Sequence, residues 1–285
     1  MAVSKQRYQE MAKIGQMNHV KIVKSLEFGM YVDAGDLGEV LIPNRYVPDG
    51  VEVGQMIDVF IYLDSQDRLV ATTDKPLASV GEVAYLRVNQ VNRTGAFMDW
   101  GMPKDLMVPF SEQRVPMEAE RSYCVYLYVD NSGRIAASSN LSHYLFEKNE
   151  NFKSGQEVNL LVVSRSDMGY TAVINGTHLG LIHSSDILQP LHMGQKIKGF
   201  IKGIRPDHKI NLRIHRQGAA ARDELGERIV AFLAENGGVS TITDKSSPDE
   251  IFQQYRTSKA NYKKTLGRLL KAKKITITPE KITLV

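Results

Sequence analysis

The sequence predicts a mainly β protein with a small α+β C-terminal domain: three tandem five-stranded barrels of the OB-fold, followed by a winged helix. Three observations carry that expectation. A glycine frame recurs three times with constant spacing, the segments around it alternate apolar and polar residues, and beyond residue 217 the apolar period lengthens to that of a helix.

The frame is Gly15, Gly29 and Pro43, then Gly81, Gly95 and Pro109, then Gly155, Gly169 and His183, fourteen residues apart within each copy. Val20 to Val23 before Gly29, with Tyr31, Leu41 and Ile42 after it, show the period of a half-buried strand. Each copy closes with a second strand pair, at residues 56–73, 123–139 and 196–214. Turn residues at 65–67, 131–133 and 206–208 join those strands. Three strands, a looser connection and a hairpin make a small Greek-key barrel. Length alone, at about 150 residues per domain, suggests two domains. The repetition overrides it and divides the chain into 1–76, 77–150, 151–217 and 218–285.

In the last segment Leu225, Ile229, Val230, Phe232 and Leu233 share one face of a helix over 219–235, which Gly237 and Gly238 stop. Ser247 is an N-cap, with Pro248 at the first helical position and acids in the first turn. A third helix begins at Ser258, with Tyr262, Leu266, Leu269 and Leu270 on its expected buried stripe and Lys259, Lys263, Lys264, Arg268 and Lys271 on the other face. Two short β-branched strands around a 278–281 turn complete the winged-helix plan, in which the basic helix contacts nucleic acid.

The 36 basic and 32 acidic side chains leave a formal charge of only +4. The sum hides an asymmetry: residues 1–150 hold 15 basic and 20 acidic residues, whereas 151–285 hold 21 and 12. The halves carry −5 and +9. Two runs concentrate the positive charge, one from Lys196 to Arg216 and one over 256–281, which points to a polyanion at the C-terminal half.

No phosphate-binding Gly-rich loop, nucleophile elbow or two-metal acidic motif is present, so the expectation is a non-enzyme without cofactor. The seven histidines lack paired metal-ligand spacing, and no metal site is expected. The single cysteine, Cys124, lies in an apolar stretch and reads as a buried strand thiol. The N-terminal residues lack a signal-peptide pattern and no apolar run reaches the ~20 residues of a membrane span, so a cytoplasmic location is expected.

GLIHSSDI at 180–187 resembles the S1 RNA-binding domain, whose signature includes Gly-Leu-x-His-x-Ser. The order of three such barrels and a winged helix resembles the conserved virulence factor B family of bacterial RNA-binding proteins. VFIYLDSQDRLVATT from Val59, GAFMDWGMPKDLMVPF from Gly95 and SKANYKKTLGRLLKAKKI from Ser258 support the match. The resemblance covers nearly the whole chain and implies sequence-tolerant binding of single-stranded RNA in post-transcriptional, virulence-related regulation.

S1 domains set aromatic residues around the middle glycine and a His after the third strand, so bases can stack while cations hold phosphates. Phe28 and Tyr31 flank Gly29, but Pro43 replaces the His; the second copy keeps Phe97, with Thr94 and Pro109 at the other positions. The third has Met168, Tyr170 and Thr171 with His183 present. Phe28, Tyr31 and Phe97 are therefore candidate base-stacking residues, with barrel packing an equal alternative. The preferred RNA surface is the third barrel and winged helix: Tyr170, His183, Lys198, Lys202, Arg205, Lys209, Arg213, Lys259, Lys263, Lys264 and Arg268.

Arg68 and Arg134 follow Asp64 and Asp130 by four residues and read as local turn-stabilising ion pairs, whereas Lys209 has Arg205 at the acid's place. Phe200 and Ile204 share strand parity with Lys196, Lys198 and Lys202, which implies a bulge or break near Gly199 or Gly203. Trp100 reads as packing between repeats. Two other readings stand: a DNA-binding transcription regulator acting through 258–274, or an adaptor docking onto ribosome or RNA-decay machinery.

Overall fold

The computed structural model describes residues 12–148, 151–187, 190–214 and 219–285. The expected domain junctions at 150/151 and 217/218, and Arg216 of the basic run, fall at or within the gaps between these stretches. Two compact units divide at Leu145 and Phe146.

The first unit holds two closed barrels. Strands β1 (Met17–Leu26), β2 (Gly29–Asp33), β3 (Glu39–Pro43), β4 (Met56–Leu63) and β5 (Leu69–Thr72) close in the order β1-β2-β3-β5-β4. Strands β6 (Val83–Asn92), β7 (Gly95–Asp99), β8 (Leu106–Pro109), β9 (Ser122–Val129) and β10 (Ile135–Ser138) repeat that order. In the second unit β11 (Glu157–Ser166), β12 (Gly169–Ile174), β13 (His178–His183), β14 (Lys196–Ile204) and β15 (Ile210–Arg213) do so again. In each barrel the third strand runs parallel to the fifth and the other pairs are antiparallel.

The fourteen-residue frame has a structural cause. Gly29 pairs with Pro43, Gly95 with Pro109 and Gly169 with His183, so the second and third frame residues face each other across β2-β3 and its equivalents. A Cβ on Gly169, whose φ is +140°, would lie 2.0 Å from the Ile182 carbonyl oxygen. Only glycine permits that approach. Each barrel's first strand also bends at one shared place, between Ile22 and Lys24, Val88 and Gln90, and Val162 and Ser164.

Alternation places Ile22, Val32, Val40, Val59 and Ala71 inside the first barrel, and Leu160, Ala172, Ile182, Ile201 and Leu212 inside the third. The second barrel's core runs into the first. Phe60 and Trp100 meet edge-to-face with centroids 5.8 Å apart, which is the expected packing between repeats. Cys124 is buried in β9 as expected.

The C-terminal domain has α1 (Ala219–Glu235), α2 (Pro248–Tyr255) and α3 (Lys259–Lys271), with β16 (Val239–Ser240), β17 (Ile275–Ile277) and β18 (Ile282–Leu284). Strand β16, absent from the sequence-based expectation, joins the terminal hairpin in the order β16-β18-β17. Two residues are too few for a periodic signal. Gly237 and Gly238, both at positive φ, turn the chain out of α1, and the Gly238 N–H donates to the Leu233 carbonyl at 2.7 Å. Ser247 and Glu250 form a capping box for α2. Ser258 caps α3 by accepting from the Asn261 N–H.

Leu225, Ile229 and Leu233 of α1 meet Ile251, Tyr262, Leu266 and Leu269 in one core. Tyr262 is fully buried; its hydroxyl donates to the Ile242 carbonyl at 2.8 Å and its ring stacks on Tyr255. Leu270 corrects the expected stripe: it is 47% exposed. At 3.6 residues per turn it lies about 100° from Leu269, beyond the apolar stripe.

Candidate nucleic-acid interface

In the first barrel the residues around Gly29 form an exposed aromatic and cationic cluster. Phe28, at the β1-β2 turn, is 56% exposed, and its ring meets Tyr31 edge-on with centroids 6.4 Å apart. Lys24 is the Cα partner of Tyr31, and its ammonium lies 4.6 Å from that ring's centroid while also pairing with Glu39. Sequence reasoning missed Lys24, because the bulge after Ile22 shifts the pairing register. The hairpin pairing across Gly29 is the signal that reveals it.

The second barrel lacks such a cluster. Phe97 is half-buried opposite Met107, and Thr94 is turned onto Asn92, to which its hydroxyl donates at 2.6 Å. Its aromatic surface lies elsewhere: the Tyr144 ring stacks on Tyr126 at 4.6 Å and on Tyr128 at 5.2 Å. Burial pushes the Tyr128 hydroxyl up to about 12, helped by the nearby Glu112 carboxylate.

In the third barrel Tyr170 is 6% exposed and shares strand parity with the buried Ala172. In the repeat frame it aligns with Met30 and Ala96, one residue away from the surface position of Tyr31. The Arg165 guanidinium stands 5.8 Å from its ring centroid. Both border a cleft of about 760 Å³ lined also by Ser166, Asp167, Ser184 and Ile187. His183 is half-buried opposite Gly169, and Met168 at the turn is 60% exposed. Arg165 was not among the residues expected from sequence.

Four cations of the third barrel carry acidic partners. Lys198 bonds Glu157 at 2.9 Å, Lys202 bonds Asp186 at 2.7 Å, Arg205 meets Asp207 at 3.0 Å and Lys209 meets Glu147 at 3.1 Å. Most of these are surface pairs, each worth about 0–1 kcal/mol and exchangeable for another anion. The register of β14 against β15 shifts between Ile201 and Gly203, placing the expected bulge at Lys202. It leaves Phe200 9% exposed and Lys202 outward. Arg213 is half-buried opposite Phe200.

The two hairpin arginines of the first unit behave differently. Arg68 bonds Asp64 through Nε at 3.0 Å and Nη2 at 2.7 Å, as the spacing predicts. Arg134 does not form the expected pair with Asp130. Its guanidinium crosses to Asp67 of the first barrel at 2.8 and 2.5 Å, while Asp130 accepts from the backbone N–H groups of Ser132 and Arg134 and from the Ser132 hydroxyl. Spacing within one turn cannot reveal a neighbouring turn from another repeat.

On the winged helix Lys263, Lys264, Arg268 and Lys271 are exposed, whereas Lys259, two turns before Leu266 and in line with it, is half-exposed, which corrects its expected place on the basic face. Lys263 lies 3.8 Å from Asp244 and Lys259 reaches the Lys245 carbonyl at 3.4 Å. Among the described residues no carboxylate lies within ion-pair distance of Lys264 or Lys271. Helix α3 therefore presents at least these two ammonium groups free of a carboxylate partner among the described residues.

Comparison with known proteins accords with this architecture. An S1 domain model matches residues 14–74, and a CvfB-like winged helix domain model matches residues 227–284. The chain is 27% identical over 270 residues to the uncharacterized protein YitL of Bacillus subtilis, covering 92% of this chain and 90% of that protein. It is 24% identical over 282 residues to conserved virulence factor B of Staphylococcus epidermidis, covering 95% and 94% respectively. A crystallised multidomain protein with nucleic acid binding domains from Streptococcus pneumoniae is 24% identical, with 95% of this chain and 98% of that chain covered at a TM-score of 0.41. Among the described residues no helix is long and apolar enough to cross a membrane.

Proposed function

Because the chain belongs to the conserved virulence factor B family, we propose that it binds single-stranded RNA with little sequence preference and acts in post-transcriptional regulation. The observation that carries this reading is the surface cluster of exposed Phe28 and Lys24 with half-buried Tyr31. A base stacked on an aromatic gains about 1–3 kcal/mol whatever its identity, and an adjacent ammonium suits the phosphate that follows it. A duplex hides its base faces, so such a cluster favours unpaired strands.

The phosphate-binding surface in this reading is the C-terminal half. Lys259, Lys263, Lys264 and Arg268 of α3 supply cations to it, with Lys264 among them beyond ion-pair distance of any carboxylate of the described residues. Lys198, Lys202, Arg205, Lys209 and Arg213 of the third barrel add contacts by exchanging a carboxylate for a phosphate, with His183 beside them and Tyr170 at the cleft. The protein in this reading works by binding rather than catalysis, in the cytoplasm; an adaptor docking onto ribosome or RNA-decay machinery is the alternative.

Anisotropy titration of the full chain with a labelled oligouridine, its mixed-sequence counterpart and a matched DNA duplex tests this. Similar affinity for the two single strands, weaker binding of the duplex and a steep loss with salt are expected, each neutralised phosphate adding about −0.7 to the log-log slope. Tighter binding of the duplex would make the chain a DNA-binding regulator. No binding of any of the three would leave the adaptor reading.

A further inference from the structure

The chain holds two glycines inside helices of its winged helix, and only one has a packing reason. A Cβ on Gly226 of α1 would touch Leu269 at 3.4 Å and Thr265 at 3.7 Å, so the small residue there serves the α1-α3 contact. A Cβ on Gly267 of α3 would meet nothing within 4 Å. Gly267 is exposed, lies mid-helix and takes no left-handed backbone angle. Glycine in an exposed helix interior weakens the helix relative to alanine, and nothing in the fold requires it here.

Its surroundings indicate what the bare backbone serves. Lys263 and Lys271 lie four residues to either side and Lys264 three before, so all three flank Gly267 on the same helix face. Leu270, three residues after it, is 47% exposed beside them. The result is a shallow place where the helix backbone is uncovered, rimmed by ammonium groups and one apolar side chain.

We propose that Gly267 is the point of closest approach between α3 and the sugar-phosphate backbone of bound RNA, with Lys264 and Lys271 on phosphates to either side and Leu270 against a sugar. The inference rests on the RNA-binding reading and deepens it. It assigns the seat of the strand to one residue that has no charge and donates no side-chain contact. Any side chain at this position holds the ribose away from the helix and lengthens both lysine contacts.

The test uses the full chain, with oligouridine as the probe and hydrogen exchange of α3 amides as a second readout. Gly267→Ala should raise α3 protection about fivefold, the gain expected of alanine over glycine in a helix, while weakening oligouridine binding about fivefold or more. Gly267→Leu should weaken it further. Lys264→Glu and Lys271→Glu make the failures distinguishable. If they weaken binding while both Gly267 variants bind as the parent does, Gly267 is not the seat and the inference falls alone. If neither pair of changes alters binding, α3 does not contact RNA and the phosphate-binding reading of α3 falls with it.

Discussion

Lys202 donates to Asp186 at 2.7 Å, and this pair occupies the place that Tyr62 and Tyr46 hold in the first barrel and Tyr128 and Glu112 in the second. The three pairs stand at equal distances from Gly15, Gly81 and Gly155, so one structural position has been filled with three chemistries. In the first barrel burial and the hydrogen bond to Tyr46 raise the Tyr62 hydroxyl to about 12, as burial does for Tyr128. Only the third barrel uses an ion pair there.

That position makes Lys202 a structural residue as much as a phosphate ligand. The Asp186 side chain is only 12% exposed, so removing its partner strands a mostly buried carboxylate. Lys202→Met should destabilise the third barrel by about 1–3 kcal/mol. Its effect on RNA affinity should be smaller than that of Lys264→Met. Thermal unfolding and anisotropy titration of the two variants check the ranking.

The bridge between Arg134 and Asp67 gives the first unit a pH dependence. Hydrogen bonding from the Arg134 guanidinium, reinforced by its charge, holds the Asp67 carboxyl below its ordinary value. A depressed carboxylate contributes stability above its unfolded value and loses it as pH falls through the folded one. The stability difference between the parent and Arg134→Ala should be present near neutrality and vanish in acid, below the usual aspartate range. Both partners are half-exposed, so added salt should shrink the difference as well. Melting curves across pH and salt measure both effects.

Replacing Phe28 separates stacking from packing. With more than half of its surface exposed, Phe28→Ala should leave the barrel's stability within about 0.5 kcal/mol of the parent. Loss of one stacked base corresponds to about 1–3 kcal/mol, or roughly 5- to 150-fold in affinity. Unchanged oligouridine binding by a folded Phe28→Ala variant would return the cluster to the barrel's own packing.

What could be read from the sequence was whatever repeats or has a period. Gly29, Gly95 and Gly169 are fixed by a carbonyl that only a glycine can approach, so their spacing survives in every barrel. The capping box at Ser247 and Glu250 is local and was visible for the same reason. Features set by partners distant in sequence were not. Arg134 chose Asp67 over Asp130, Lys209 found Glu147 across 62 residues, and β16 gained strand character from β18. The burial of Tyr170 was not legible either, because alternation near a glycine turn does not say which of two neighbours faces outward. Leu270 shows the limit of counting leucines: Thr265, not Leu270, completes the buried face with Tyr262, Leu266 and Leu269.

The paired cations of the third barrel allow the proposed interface to be tested in the direction of tighter binding. Lys198 and Lys209 are held by Glu157 and Glu147, all four side chains being more than a third exposed. If these lysines meet phosphate, each carboxylate competes with RNA for the same ammonium group. Removing the competitor then favours the strand. Glu147→Gln and Glu157→Gln should each raise oligouridine affinity by up to about fivefold, the range of an exposed ion pair, and strengthen most at low salt. The log-log salt slope should steepen by about 0.7 for each lysine newly committed to a phosphate. The same substitutions should lower thermal stability only slightly, since exposed pairs contribute little to folding. A variant that loses stability without gaining affinity would place Lys198 and Lys209 in the barrel's own structure, leaving α3 as the phosphate-binding surface.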